Sequence, residues 1–167
     1  MLYVSQILRN NVFRRKQRFA PIAEVDQLGE RTAKMATEVA RNAWGVVVHH
    51  ASERILELRW LPSTMTDAAF KATLALFASE AEKIRAPFLL IDATEFRHSF
   101  APGVMEWRND AIIPRYGAAG VKKFAFHVPT GFPNTIEAGG KETFEGPAIF
   151  PTAWFSVRQN ALNWLEA

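Results

Sequence analysis

The sequence predicts an α/β fold: a small mixed β-sheet flanked by helices, in a single domain with an N-terminal extension. Three observations predict it. Residues 44–61 hold two β-rich segments, "WGVVVHH" and "RILELRWL", divided by a short polar turn. Residues 67–85 carry apolar side chains at helical spacing. "PFLLIDA" (87–93) is a continuous apolar run opened by a proline, the pattern of a strand covered on both faces. A chain of 167 residues suits one domain, and its 13 Phe and 5 Trp supply a sizeable core.

The extension comes first in the chain. Arg9, Arg14, Arg15, Lys16 and Arg18 lie in residues 1–23, which hold no acid, a local charge of +5. The rest of the chain carries 15 basic and 17 acidic side chains, so the basic character belongs to this arm. "RNNVFRRKQRFAPIAE" has no firm helical or strand period. Residues 1–34 therefore read as a basic, solvated and disordered extension. Those five bases are candidate contacts for anions or a membrane surface, by charge neutralisation. No specific nucleic-acid binding is expected. Met35 offers a second start, in which case residues 1–34 lie outside the working protein and 35–167 form the domain.

Within the domain, Ile55, Leu56, Leu58 and Trp60 include an alternating set, with Glu57 and Arg59 opposite. That pattern suits a half-covered antiparallel pair, with "ASE" as the hairpin turn. Thr66 is placed to cap the following helix, whose inner stripe is Phe70, Leu74, Phe77, Ala81 and Ile84. After the central strand, Pro102 suits the first turn of a second helix. The expected inner face of that helix is Val104, Trp107, Ala111 and Ile112, and Pro114 kinks or ends it. "KKFAFHVP" (122–129) reads as a further strand. Residues 130–149 are rich in glycine and proline and read as a long loop with at most one helical turn. "FPTAWF" closes the sheet. "SVRQNALNWLEA" reads as a helix capped by Ser156, with Val157, Ala161, Leu162 and Leu165 facing inward and Trp164 beside them.

With these elements placed, "RILELRWLP", "PFLLIDATEF", "MEWRNDAIIPRYGAAGVKKFAFHVP" and "WFSVRQNALNWL" resemble, in order and spacing, the SpoIIAA-like family, distant relatives of STAS (anti-sigma-factor antagonist) domains. The resemblance covers roughly residues 38–167. It implies a regulatory, non-enzymatic α/β domain that binds a partner protein, and a phosphorylatable serine in the turn after the central strand. Asp92 matches the acid ending that strand, and Gly103 the glycine in the next helix's first turn. Ala101 and Pro102 stand where the serines belong, and Phe100 where the acid belongs. Ser99 is off register by about two residues, so the phosphoacceptor is missing. Some folds of this family resemble the lipid-binding SEC14 domain in outline. That implies, as an alternative, a carrier in which Phe132, Ile136, Phe144 and Phe150 cover an apolar cavity. A homodimer is also expected by analogy.

Ligands of open α/β sheets gather beyond the carboxyl ends of the strands. Asp92, Thr94, Glu95, Arg97, His98 and Ser99 follow one such end, and Trp107 lies on the next helix. These are the candidate ligand- or partner-contacting residues, with Arg97 and His98 supplying positive charge and the helix start facing an anion. Ser99, His98 and Asp92 as a hydrolase triad are disfavoured. Adjacent side chains of an extended stretch point apart, and no G-x-S-x-G elbow surrounds Ser99. Catalytic residues are therefore expected to be none. His49, His50, His98 and His127 lack the i, i+2 spacing of a strand metal site, and no cofactor or metal is expected. The absence of cysteine excludes disulfides, zinc-thiolate centres and thiol nucleophiles. No apolar run reaches the roughly 18–20 residues of a membrane span. The bases follow the apolar start rather than preceding it, which reverses a secretory signal. The expectation is a cytoplasmic protein.

Overall fold

The computed structural model describes residues 36–144 and 150–167; the basic extension and its five cationic candidates lie outside the described residues. Seven strands form one mixed sheet: β1 (Ala36–Arg41), β2 (Gly45–His50), β3 (Ile55–Trp60), β4 (Phe88–Asp92), β5 (Lys123–His127), β6 (Thr143–Phe144) and β7 (Pro151–Phe155). Their spatial order is β1-β2-β3-β4-β5-β7-β6. The first three strands run antiparallel, β3, β4, β5 and β7 run parallel, and β6 returns antiparallel to β7. The expected α/β class, with one mixed sheet and flanking helices, is the observed one.

The helices are α1 (Asp67–Ile84), α2 (Val104–Ala111), α3 (Ile113–Ala118) and α4 (Arg158–Glu166), with a 3-10 turn at Ile136–Ala138. The Thr66 hydroxyl accepts the Ala69 N–H at 3.1 Å and starts α1 as expected. Arg85 ends it in the left-handed region, its N–H bonded to the Ala81 carbonyl at 2.8 Å. Phe70, Leu74, Phe77 and Ala81 are buried against the sheet, and Ile84 is partly buried on the same cluster. Pro114 sits in the first turn of α3, where its missing N–H costs nothing. It therefore divides the second helix in two rather than bending it. Arg115 clasps α3 to α1 through two hydrogen bonds of 2.7 Å to the Glu82 carboxylate.

Several expected details differ. Pro102 precedes the helix, and Gly103 is the N-cap of α2 at φ 87° rather than a residue of the first turn. Ala111 is exposed, and Trp107 is only half-buried, with the Lys71 ammonium 5.2 Å from its ring centroid. Ser156 does not cap α4. Val157 is its N-cap, and at 48% exposure it faces solvent rather than the core. Capping comes from Glu137, whose carboxylate accepts the Ser156 and Val157 N–H groups at 3.1 and 3.2 Å and the Asn160 amide at 2.9 Å. A side chain about twenty residues upstream thus holds the chain at the entry to this helix. Burial raises the Glu137 pKa, and these donors outweigh it to leave the group below the usual carboxylate range.

Strand alternation divides the interior. Leu56, Leu58, Leu89, Ile91 and Phe124 point toward α1, α2 and α3, while Ile55, Leu90, Ala125, Ala153 and Phe155 point toward α4. A further tight contact fixes the β1–β2 turn. The Asn42 carbonyl oxygen of the side chain accepts the Trp44 and Gly45 N–H groups at 2.9 Å each, and its amide donates to the Thr73 hydroxyl at 2.9 Å. Gly45 lies so near α1 that a Cβ there would stand 2.8 Å from Thr73 Cγ2 and 2.9 Å from Leu58 Cδ1.

Gly45→Ala should lower stability by about 1–3 kcal/mol in urea unfolding, because the packed core must shift. Gly117→Ala, where a Cβ meets nothing within 4 Å, should be neutral or stabilising by up to ~1 kcal/mol. Glu137→Ala should cost about 1 kcal/mol and raise amide exchange in the first turn of α4 while leaving α1 protected.

Candidate functional site

The segment after β4 does not gather its polar side chains into one site. Asp92, the last residue of β4, points to the α4 side. One carboxylate oxygen accepts the Thr94 N–H at 3.0 Å and the Thr94 hydroxyl at 2.6 Å, an Asx-type turn that ends the strand. The other faces His127 Nδ1 at 3.4 Å, outside hydrogen-bond geometry, and Arg158 Nη1 at 3.9 Å. Glu95 and Ser99 are exposed. Arg97 donates to the Thr94 and Phe96 carbonyls at 2.7 and 2.8 Å, holding its own loop together. His98 turns to the opposite layer and bonds Asp67 at the start of α1, Nε2 to Oδ1 at 2.7 Å. That bond holds the Asp67 carboxyl below its usual range. Asp92 and His98 therefore lie on different faces of the sheet, and Ser99, His98 and Asp92 form no triad.

On the α4 face the sheet carries a charged network that alternation alone left unseen. Glu57, expected on a solvated face, is fully buried. Its carboxylate accepts from His50 Nε2 at 2.7 Å, Arg59 Nη2 at 2.9 Å and Arg158 Nη2 at 2.9 Å, and Arg158 Nη1 bonds its other oxygen. Burial pushes the Glu57 pKa up. The bonds from His50, Arg158 and Arg59 more than reverse this, so the group stays ionised far below the usual carboxylate range. A buried carboxylate is tolerated only with such complete pairing. The network fixes α4 on the sheet through Arg158. Among the described residues no group of His, Asp or Glu is arranged to hold a metal.

The other face contains a cavity of about 450 Å³ beyond the carboxyl ends of β4 and β5. Ile91 reaches it from β4 and Ala93 from just past its end, Phe124 and Phe126 from β5 and Val128 from just past its end, and Phe70 and Leu74 from α1. Its walls are built from stacked rings. Trp60 lies on Phe70 with centroids 5.6 Å apart and 15° between planes, and Phe126 lies on Trp154 at 5.5 Å and 7°. Phe96 and Phe100, from the loop after β4, close over Trp60 and Phe70 at 5.0 and 4.5 Å. Within "LLIDATEFRHSF", Ile91, Ala93, Phe96, His98 and Phe100 thus line the cavity, while Asp92, Thr94 and Arg97 brace the turn. Phe132, at the rim, is 43% exposed. Of the residues expected to cover a cavity, Phe132 does line it. Ile136 and Phe144 are exposed and outside its lining, and Phe150 is buried in the adjoining core. Trp107 is not part of the lining.

No protein-family model, curated protein or solved structure matches this chain. No helix among the described residues is long and apolar enough to cross a membrane.

The depressed Glu57 pKa gives a directed pH dependence. The folded state binds fewer protons than the unfolded one, so this contribution is present above the ordinary carboxylate pKa of about 4.3. It is lost as pH falls through the folded value. Glu57→Gln should cost about 3 kcal/mol at pH 7, with Arg158 and Arg59 left without their carboxylate. The variant should also show a shallower loss of stability than the parent between about pH 5 and 2, measured by urea unfolding across that range.

Proposed function

We propose that the protein is a non-catalytic binding module that holds an apolar small molecule in the cavity beyond β4 and β5. The observation that carries this reading is the lining: aromatic and aliphatic side chains from α1, α2, α3, β4, β5 and the loops after both strands converge on one space. Its size falls within the roughly 300–1,000 Å³ of small-molecule sites, and its place agrees with where open α/β sheets put ligands. Apolar surface entering such a space contributes about 25 cal/mol per Å². Absence of chemistry fits the geometry of the loop, where His98 is engaged by Asp67 and Asp92 belongs to the other face. In terms of the resemblance, this is a cytoplasmic STAS-like regulatory domain lacking the phosphoacceptor and working nearer to the SEC14-like mode. A protein partner then reads the occupied state at the loop 94–103.

The neutral dye N-phenyl-1-naphthylamine tests this. Its emission should rise saturably, with one site per chain, on mixing with the protein. Ala93→Phe, which puts a ring into the cavity from the end of β4, should weaken the dye at least tenfold while shifting the thermal midpoint by only a few degrees. Equal dye affinity in the folded variant contradicts the proposal.

A further inference from the structure

We infer that residues 94–103 are a strap that opens to admit the ligand, and that the Asp67 carboxylate is the latch holding it shut. This rests on the apolar-cavity reading and adds the route by which the site fills and empties. The strap runs from the turn made by Asp92 and Thr94 to Gly103, and its side chains alternate. Glu95, Arg97, Ser99 and Ala101 are exposed, while Phe96, His98 and Phe100 are partly buried and line the cavity. The three inward rings pack on one another, His98 edge-on with centroids 6.4 Å from Phe96 and 5.4 Å from Phe100. Phe96 rests on Trp60 of β3 and Phe100 on Phe70 of α1. The strap is thus one wall of the cavity.

That wall is anchored more lightly than the others. The walls from β4 and β5 are held by the sheet ladder, and the wall from α1 by its helical backbone. Among the described residues, the backbone groups of 97–100 make no hydrogen bond. Arg97 bonds carbonyls of the strap itself, at Thr94 and Phe96. Turns join the strap to β4 and α2, with Phe96 N–H on the Ala93 carbonyl and Val104 N–H on the Ala101 carbonyl. Apart from these, its hydrogen bonds to other elements, among the described residues, both go to Asp67. His98 Nε2 meets Oδ1 at 2.7 Å, and the Ala101 N–H donates to Oδ2 at 3.3 Å. Asp67 is not needed as the cap of α1, because the Thr66 hydroxyl fills that role. A segment with few protected backbone bonds lies at the low end of local stability, the class from which binding-site lids are drawn. Without the Asp67 bonds, ring contacts alone would hold this wall between its end turns.

The test follows N-phenyl-1-naphthylamine entering and leaving the protein by stopped-flow fluorescence. Asp67→Ala removes both bonds and leaves the Thr66 cap, while His98→Phe removes one bond and keeps a ring in the wall. In Asp67→Ala the entry and exit rates should rise together, each about tenfold, with the equilibrium constant changed by less than about threefold. His98→Phe should raise both rates by about threefold or more. Glu137→Ala, which loosens α4 on the other face of the sheet, should leave both within about twofold. Unchanged rates in the folded variants overturn the latch, while dye uptake still upholds the cavity. A faster exit with unchanged entry also overturns it, because the bonds would then grip the ligand without governing the way in. Equal acceleration in Glu137→Ala overturns it too, by tracing the effect to general loosening. A parent protein that takes up no dye overturns both readings together.

Discussion

A β-strand sends successive side chains to opposite faces, and in β3, β4 and β5 that period assigns every residue to one of two layers of different chemistry. Trp60, Ile91 and Phe126, at or next to the ends of their strands, stand beside the apolar cavity. Their neighbours Arg59, Asp92 and His127 turn to the other face, where Arg59 pairs with Glu57 and Asp92 stands between Arg158 and His127. A shift of one residue in the register of β4 would put Asp92 into the aromatic cavity and Ile91 into the ionic network. Both layers would fail at once, so each pins the register that the other needs.

The two layers meet different demands. The network around Glu57 gains little net energy from its charges, since desolvation offsets most of the attraction. What it provides is a fixed seat for α4, which is also held by the Ala161–Leu165 stripe, by Lys123 bonded to the Trp164 carbonyl, and by the carboxylate of Glu137 at its start. The cavity layer is held by ring packing, with α3 clasped to α1 at its margin by Arg115 and Glu82. The lining is mostly apolar, with His98, Arg108 and Tyr116 as its titratable side chains.

Much of the sheet and of α1 was legible because their signals are local: alternation in "RILELRW", helical spacing from Phe70 to Ala81, and the apolar run of β4. The α4 side was not. Glu57 looks like part of a solvent face in a two-strand context, and only the later return of α4 covers it, while Arg59 stays exposed. The Glu57 partner Arg158 is about a hundred residues away. The cap of α4 is hidden for the same reason, since Glu137 comes from a loop rather than from the preceding residue. At the candidate site, the polar residues after β4 drew attention by their chemistry, yet Asp92, Thr94 and Arg97 shape turns. Phe96 and Phe100, interleaved among them, line the cavity instead.

The claim that one layer binds and the other only braces can be tested atom by atom. Methyl-labelled protein titrated with N-phenyl-1-naphthylamine should show shifts at Leu74, Ile91, Ile113 and Val128. Ile55, Leu90 and Leu165, on the α4 side of the same strands, should stay in place. Shifts centred on the second group, or spread evenly over both, would contradict the account.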